Sequence, residues 1–191
     1  PIVLARDADD AARKPGSSGK PVLHTEVRIV DDDGNEVTAP GVVGELWVKG
    51  PNVTPGYWNQ PEVTAEAIQD GWLRTGDAVS LDADGFYYVV DRWKDMYISG
   101  GENVYPAEVE NVIYQMPAIA EVAVIGIPDE RWGEVGQAVV ALKEGESLAE
   151  AAILKYCDGK LARFKQPKSV RFVEALPRNA TGKVLKRELR D

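Results

Sequence analysis

The hydrophobic pattern changes period near Asp91, and that change limits the chain to two dissimilar parts. Before it, apolar residues alternate in short runs separated by Gly, Pro and Asp-Gly breaks, the pattern of antiparallel strands. Residues 1–20 read as loop, because Lys14-Pro15-Gly16 and Gly19-Lys20-Pro21 interrupt them. Strands are expected over 22–30, 44–49, 71–79 and 85–91, with turns at Asp33-Gly34 and Asp84-Gly85. Pro61 opens a short helix over 61–68, where its missing N–H does no harm. After Asp91, helical and strand periods alternate. Residues 96–99 are extended, and 100–103 form a glycine-rich loop. Residues 106–115 place apolar side chains at 109, 112 and 113, an amphipathic helix. Apolar strands follow over 121–127 and 135–142. A helix runs from Ser147 to about 160, with Glu150 completing a capping box. A strand over 169–174 and a helix over 184–190 close the chain. The expected fold class is α+β: a mostly β part, residues 1–93, then a small mixed α+β domain, residues 94–191.

Cysteine and histidine usage excludes several chemistries. Cys157 is the only cysteine, which forbids an internal disulfide and fits a reducing cytoplasm. His24 is the only histidine, so a His-rich metal centre or a Ser-His-Asp triad is not expected. No apolar run approaches the roughly 20 residues that span a bilayer. The first ten residues lack the basic flank and apolar core of a signal peptide, and they lack an initiator Met. The net charge of −9 conceals an asymmetry. Residues 155–191 carry eleven basic and four acidic side chains, and the other 154 residues carry eleven basic and twenty-seven acidic ones. A basic tail on an acidic chain points to a local anionic partner, a nucleic acid or a small polyanion, or to a solvated helix face.

Some strings invite over-reading. Gly16 to Lys20 resembles half of a phosphate-binding loop, but Pro21 stands where that motif needs Ser or Thr. The acidic turns at 31–34 and 82–85 lack the glycine and glutamate that complete a calcium loop. Three segments carry more chemistry. Asp77 follows a Thr75-Gly76 break, so its carboxylate can accept two hydrogen bonds from a vicinal diol; alone, it also fits a strand-end turn. Arg92, Lys94 and Asp95 precede Gly100-Gly101-Glu102, where paired glycines allow close approach of a ligand chain. Lys183 follows Thr181-Gly182 on a loop, a mobile cation suited to a phosphate or a developing oxyanion, though taken alone an ordinary surface lysine is the better reading.

Taken in order, the segments say more than they do singly. TGD at 75–77, DRWKD at 91–95, SGGENVYPAEVE at 99–110 and PRNATGK at 177–183 closely resemble the acyl-CoA synthetase branch of the adenylate-forming enzymes. So do GELWVKGPNVTPGYWNQPEVT at 44–64, IPDERWGE at 127–134 and LARFKQPK at 161–168. The resemblance implies a carboxylic acid, fatty in the first instance, activated by Mg-ATP as acyl-adenylate. Coenzyme A then displaces AMP while a mobile C-terminal lid changes pose about a hinge. It implies that Asp77 and Arg92 bind the nucleotide, that Lys94 is the hinge, and that Lys183 bridges carboxylate and α-phosphate. Gly100, Gly101 and Glu102 would line the pantetheine tunnel, and Trp132, Phe164 and Lys165 would contact coenzyme A. No metal ligand is expected here, since the family's phosphate loop and its aromatic-x-x-Thr-Glu segment are missing. Both would lie before Pro1, so the chain is expected to be part of a larger enzyme, inactive alone and partnered by the missing N-terminal part. No nucleic-acid partner is implied. The alternatives are an adenylation module loading an acyl carrier protein, and a non-catalytic interaction module.

Overall fold

The computed structural model describes residues 2–190. The chain is α+β and mostly sheet, and it divides into two compact units, Pro1–Lys94 and Asp95–Asp191. In the first, β1 (Leu4–Ala5), α1 (Ala8–Arg13) and β2 (Lys20–Pro21) lead into β3 (Glu26–Val30) and β4 (Val43–Lys49). Then come α2 (Pro61–Ala67), β5 (Ile68–Gln69), β6 (Trp72–Leu81) and β7 (Tyr87–Arg92). β1 and β2 pair separately. The others form an antiparallel five-stranded sheet in the order β3-β4-β6-β5, with β7 also on β6. Its core is Ile29, Leu46, Val48 and Val79, supplied by β3, β4 and β6.

Two expectations fail here for local reasons. Residues 1–20 are not all loop: Asp7 caps α1 by accepting a hydrogen bond from Asp10 N at 2.7 Å. Asp9 and Asp10 in its first turn and Arg13 in its last complement the helix dipole. The strand expected from residue 22 begins only at Glu26, because His24 takes a positive φ of 62°.

The acidic turn at 82–85 has a structural occupant. Lys14 Nζ donates to Asp82 at 2.7 Å and to Asp84 at 2.5 Å, while Asp82 also accepts from Asp84 N and Phe86 N. The Lys14 bond, with the two backbone donors, lowers the Asp82 pKa from 3.8 to about 2. A carboxylate more acidic folded than unfolded stabilises the fold above its unfolded value and loses that contribution as pH falls toward the folded one. Chemical denaturation should therefore show the wild-type chain losing stability between about pH 4 and pH 2, with a smaller loss for Lys14→Ala. Parallel pH profiles for the two would refute the link.

The second unit opens with the hairpin β8 (Tyr97–Ser99) and β9 (Glu102–Val104), turned by Gly100 and Gly101 at φ 62° and 87°. Glu102 and Asn103, read as loop, are strand. Next come α3 (Pro106–Ile113), β10 (Ile119–Asp129), β11 (Gly133–Leu142), α4 (Glu150–Cys157) and β12 (Ser169–Phe172). The sheet order is β10-β11-β8-β9, and β12 joins β11 in parallel. Both faces of the β10–β11 hairpin are covered. Val124, Ala138 and Val140 pack with α3 and α4 through Val109, Ile113 and Ile153. Ala123, Ile125 and Val139 pack beneath Leu176 and Leu189. Burial on both faces explains why these two strands read as continuous apolar runs.

Two helix expectations are corrected. The Ser147–Glu150 capping box does not form: α4 starts at Glu150, whose carboxylate accepts from Val170 N at 2.8 Å and ties β12 to the helix. The final helix is only a 3-10 turn, Lys186–Leu189. Leu189 is pinned in the core and Arg171 donates to its carbonyl at 2.6 Å, so tertiary contacts end the segment before a full α-turn forms.

Candidate active site

In the first unit the site residues lie where the β4–β6 ladder breaks. Glu45 pairs with Ala78 and Trp47 with Arg74, so Thr75, Gly76 and Asp77 arch away opposite Leu46 alone. Gly76 adopts φ 71°, which the glycine permits. The hydroxyl of Thr75 donates to Leu46 O at 2.7 Å and accepts from Asp77 N at 3.1 Å. Gly76 N donates to the Glu45 carboxylate at 3.1 Å. On the neighbouring strand Arg92 lies opposite Asp77 in register. Its guanidinium reaches the Asp77 carboxylate at 3.1 Å and the Thr75 carbonyl at 3.4 Å. Both side chains stay partly exposed, so the pair presents an acceptor and a cation side by side to solvent. Lys94 is exposed, in the 3-10 turn Trp93–Asp95, and is the last residue of the unit.

In the second unit Gly100 and Trp132 are packed together. Gly100 N donates to Trp132 O at 2.8 Å, and a Cβ on Gly100 would stand 2.6 Å from the indole. The Asp129 carboxylate accepts from Arg131 N and Trp132 N, both at 2.9 Å, and so fixes the backbone turn that carries the indole. Trp132 and Phe164 line one cleft of ≈ 290 Å³ with Ser99, Arg131, Arg163 and Lys168. The three cations were not singled out from the sequence, although they flank the aromatic residues inside ERW and LARFKQPK. Lys165 is held elsewhere: its ammonium contacts both oxygens of Glu108 at 2.7 and 2.9 Å. Gly101 has open space where a Cβ would project, and Glu102 is exposed on β9.

The Lys183 loop is braced by a residue that sequence reading passed over. The Asn179 side-chain oxygen accepts from Thr181 N at 3.1 Å, Thr181 Oγ1 at 2.8 Å and Lys183 N at 2.9 Å. Asn179 N also donates to Lys183 O at 2.9 Å, closing the loop on itself. The signal was present, since an Asn shortly before a glycine, as in Asn179-Ala180-Thr181-Gly182, favours such a side-chain-closed turn. Arg178 anchors the base by donating to Gly182 O at 2.6 Å and by pairing with Glu121. That ion pair, with a backbone bond from Leu176, holds the Glu121 carboxyl below its usual range. Lys183 itself is exposed, and among the described residues no carboxylate pairs with its ammonium. By contrast Lys165, Arg178 and Lys186 are ion-paired with Glu108, Glu121 and Glu110. Part of the basic tail is thus neutralised within its own unit. Lys183 and the cations of the cleft are among the basic side chains for which no ion pair occurs among the described residues. Among the described residues no cluster of three His, Cys, Asp or Glu side chains could hold a metal ion. Among them, too, no helix is long and apolar enough to cross a membrane.

A partly exposed carboxylate beside a cation on one unit, and on the other an aromatic cleft ringed by cations and an exposed lysine on a braced loop, suit anionic ligands, and the chain carries an AMP-binding enzyme domain segment and an AMP-binding enzyme C-terminal domain. The model of the AMP-binding enzyme matches residues 1–58, and that of the AMP-binding enzyme C-terminal domain matches residues 108–183. Feruloyl-CoA synthase of Amycolatopsis sp is 50% identical over 190 residues, 100% of this chain and 38% of that protein. Long-chain-fatty-acid–CoA ligase FadD13 of Mycobacterium tuberculosis is 50% identical over 184 residues, 96% of this chain and 36% of that protein. The o-succinylbenzoate CoA synthetase MenE of Bacillus subtilis, solved with its acyl-adenylate intermediate, is similar with a TM-score of 0.89 and 41% identity. The match covers 99% of this chain and 38% of that structure. The same synthetase with ATP and magnesium ion gives a TM-score of 0.87. The chain therefore spans a little over a third of the length of these relatives.

Proposed function

We propose that this chain supplies the nucleotide-binding edge and the lid of an ATP-dependent acid–CoA ligase, which makes an acyl-adenylate and passes its acyl group to coenzyme A. The observation that carries the reading is Lys183, exposed on a loop braced by Asn179 and without an ion pair among the described residues, while three other basic residues of its unit are tied to glutamates. A free ammonium there can sit between a carboxylate and an α-phosphate, offsetting their repulsion and stabilising the charge that develops as they join. Asp77 would accept from the ribose hydroxyls and Arg92 would meet the phosphate. Lys94 would serve as the hinge, which the unit boundary between Lys94 and Asp95 supports. ATP and magnesium ion fit this reading, because MenE is similar in a complex holding both. The magnesium ligands would be supplied by the remainder of the enzyme.

For the second half-reaction, Gly100, Gly101 and Glu102 would border the pantetheine path, and Trp132 and Phe164 would flank the nucleotide end. Arg131, Arg163 and Lys168 around those rings favour an acceptor carrying its own phosphates and adenine, which is free coenzyme A rather than a carrier-bound pantetheine. The acid can be fatty or aryl, since the similar proteins include ligases named for both kinds. The test compares the complete enzyme with the isolated chain in acid-dependent ATP–pyrophosphate exchange, followed by thioester formation on adding coenzyme A. The complete enzyme is expected to perform both and the isolated chain neither. Absence of acid-dependent exchange in the complete enzyme would remove the reading; full exchange by the isolated chain would remove its incompleteness.

A further inference from the structure

We infer that Glu45 is a positioning residue for nucleotide recognition, a buried carboxylate that sets the arch carrying Asp77. The inference rests on the reading of Asp77 as the ribose-binding group. Glu45 lies in the middle of β4 and is 6% exposed, a place where sheets put apolar side chains. A charge there is retained only if its acceptors are filled. One oxygen accepts from Gly76 N at 3.1 Å. The other accepts from Trp47 Nε1 at 2.8 Å and Arg74 Nε at 3.1 Å. The Arg74 side chain is 42% exposed and stacks over Trp47 at 5.3 Å, so it caps the buried acid from the solvent side.

The geometry explains why an acid is needed. Where Thr75, Gly76 and Asp77 arch off the ladder, their backbone groups lose β4 as a partner. An unsatisfied N–H at such a break is unfavourable, so the arch needs a substitute acceptor. Glu45 supplies it from the facing strand and thereby fixes where the next residue, Asp77, projects. A carboxylate satisfies three donors approaching from two sides. An amide cannot: in a Glu45→Gln variant, whichever way the side chain turned, its NH₂ would face either Gly76 N–H or the Trp47 and Arg74 donors. Glu45 is therefore not replaceable by its isostere.

The experiment uses the complete enzyme and reads the preference for ATP over 2′-deoxyATP and 3′-deoxyATP, as kcat/KM ratios in acid-dependent pyrophosphate release. Glu45→Gln is made alongside Glu45→Asp, which keeps the charge against Arg74 and Trp47 but shortens the reach to Gly76, and alongside Asp77→Ala. Circular dichroism melts select variants that fold cooperatively. If Glu45 acts through Asp77, either Glu45 variant loses about tenfold or more in kcat/KM for ATP. The two deoxynucleotides then lose distinctly less than ATP does, because each keeps only one of the two hydroxyls that Asp77 would hold. Equal losses on all three nucleotides, or no loss, while Asp77→Ala still abolishes the preference, overturn the inference and leave the Asp77 reading intact. Should Asp77→Ala itself leave the preference unchanged, the reading beneath it fails instead.

Discussion

Lys183→Ala in the complete enzyme is expected to lower the rate of acyl-adenylate formation by about 10²- to 10³-fold, the effect of removing one preorganised group from a developing oxyanion. Release of AMP from preformed acyl-adenylate on adding coenzyme A should stay within about threefold, because the lysine's charge is needed where two anions meet and not where a thiol displaces AMP. Stability should hardly move. The side chain is exposed and its ammonium makes no ion pair among the described residues, and such surface substitutions are usually within about ±0.5 kcal/mol. The loop's shape depends on Asn179, whose side chain accepts from Thr181 and Lys183. Asn179→Ala should therefore reproduce a milder form of the same adenylation defect with the lysine still present. Lys183→Arg keeps the charge but replaces a compact ammonium with a planar fork, so it should recover activity only in part. Wild-type adenylation rates in Lys183→Ala would remove the central element of the proposed mechanism.

The second large effect is expected from Gly100→Ala, compared with the same change one residue on. Both glycines have positive φ, 62° and 87°, so alanine at either is strained by about 1–2 kcal/mol. Their surroundings differ. A Cβ on Gly101 meets nothing within 4 Å, whereas one on Gly100 would lie 2.6 and 2.9 Å from the ring of Trp132. The Trp132 backbone is held through the Gly100 N–H bond to its carbonyl and through Asp129, so the indole would yield by turning about its side-chain bonds away from the wall of the cleft. Gly101→Ala should show the strain alone in chemical denaturation. Gly100→Ala should lose about 1–3 kcal/mol beyond it, the usual penalty of overpacking. It should also raise the KM for coenzyme A by about tenfold or more, with adenylation affected far less. Equal behaviour of the two variants would mean that the indole does not shape the coenzyme site.

Much of the candidate site was legible in the chain because it consists of residues whose chemistry is local. Asp77 after Thr-Gly and Lys183 after Thr-Gly stand out as charges placed beside backbone breaks, and the paired glycines at 100 and 101 demand an unusual turn. The long apolar strands were equally readable, since β10 and β11 are buried on both faces and their runs cannot be polar. The failures share a cause. Glu150 looked like a capping residue three positions from Ser147, but Val170 N, twenty residues away, takes its carboxylate. The last segment has helical spacing, yet Leu189 and Arg171 stop it as a single 3-10 turn.

The chain by itself determined its class, its motifs and the kinds of groups available for chemistry, because composition and spacing are properties of neighbours along the backbone. Only the tertiary structure decided which charges are free to act. Glu45 faces Gly76 across a broken ladder, and among the described residues Lys183 has no ion pair while Lys165, Arg178 and Lys186 are neutralised. Pairing of charges far apart in sequence depends on distances of a few ångströms in the folded chain, and the order of residues does not contain those distances until the sheets have formed.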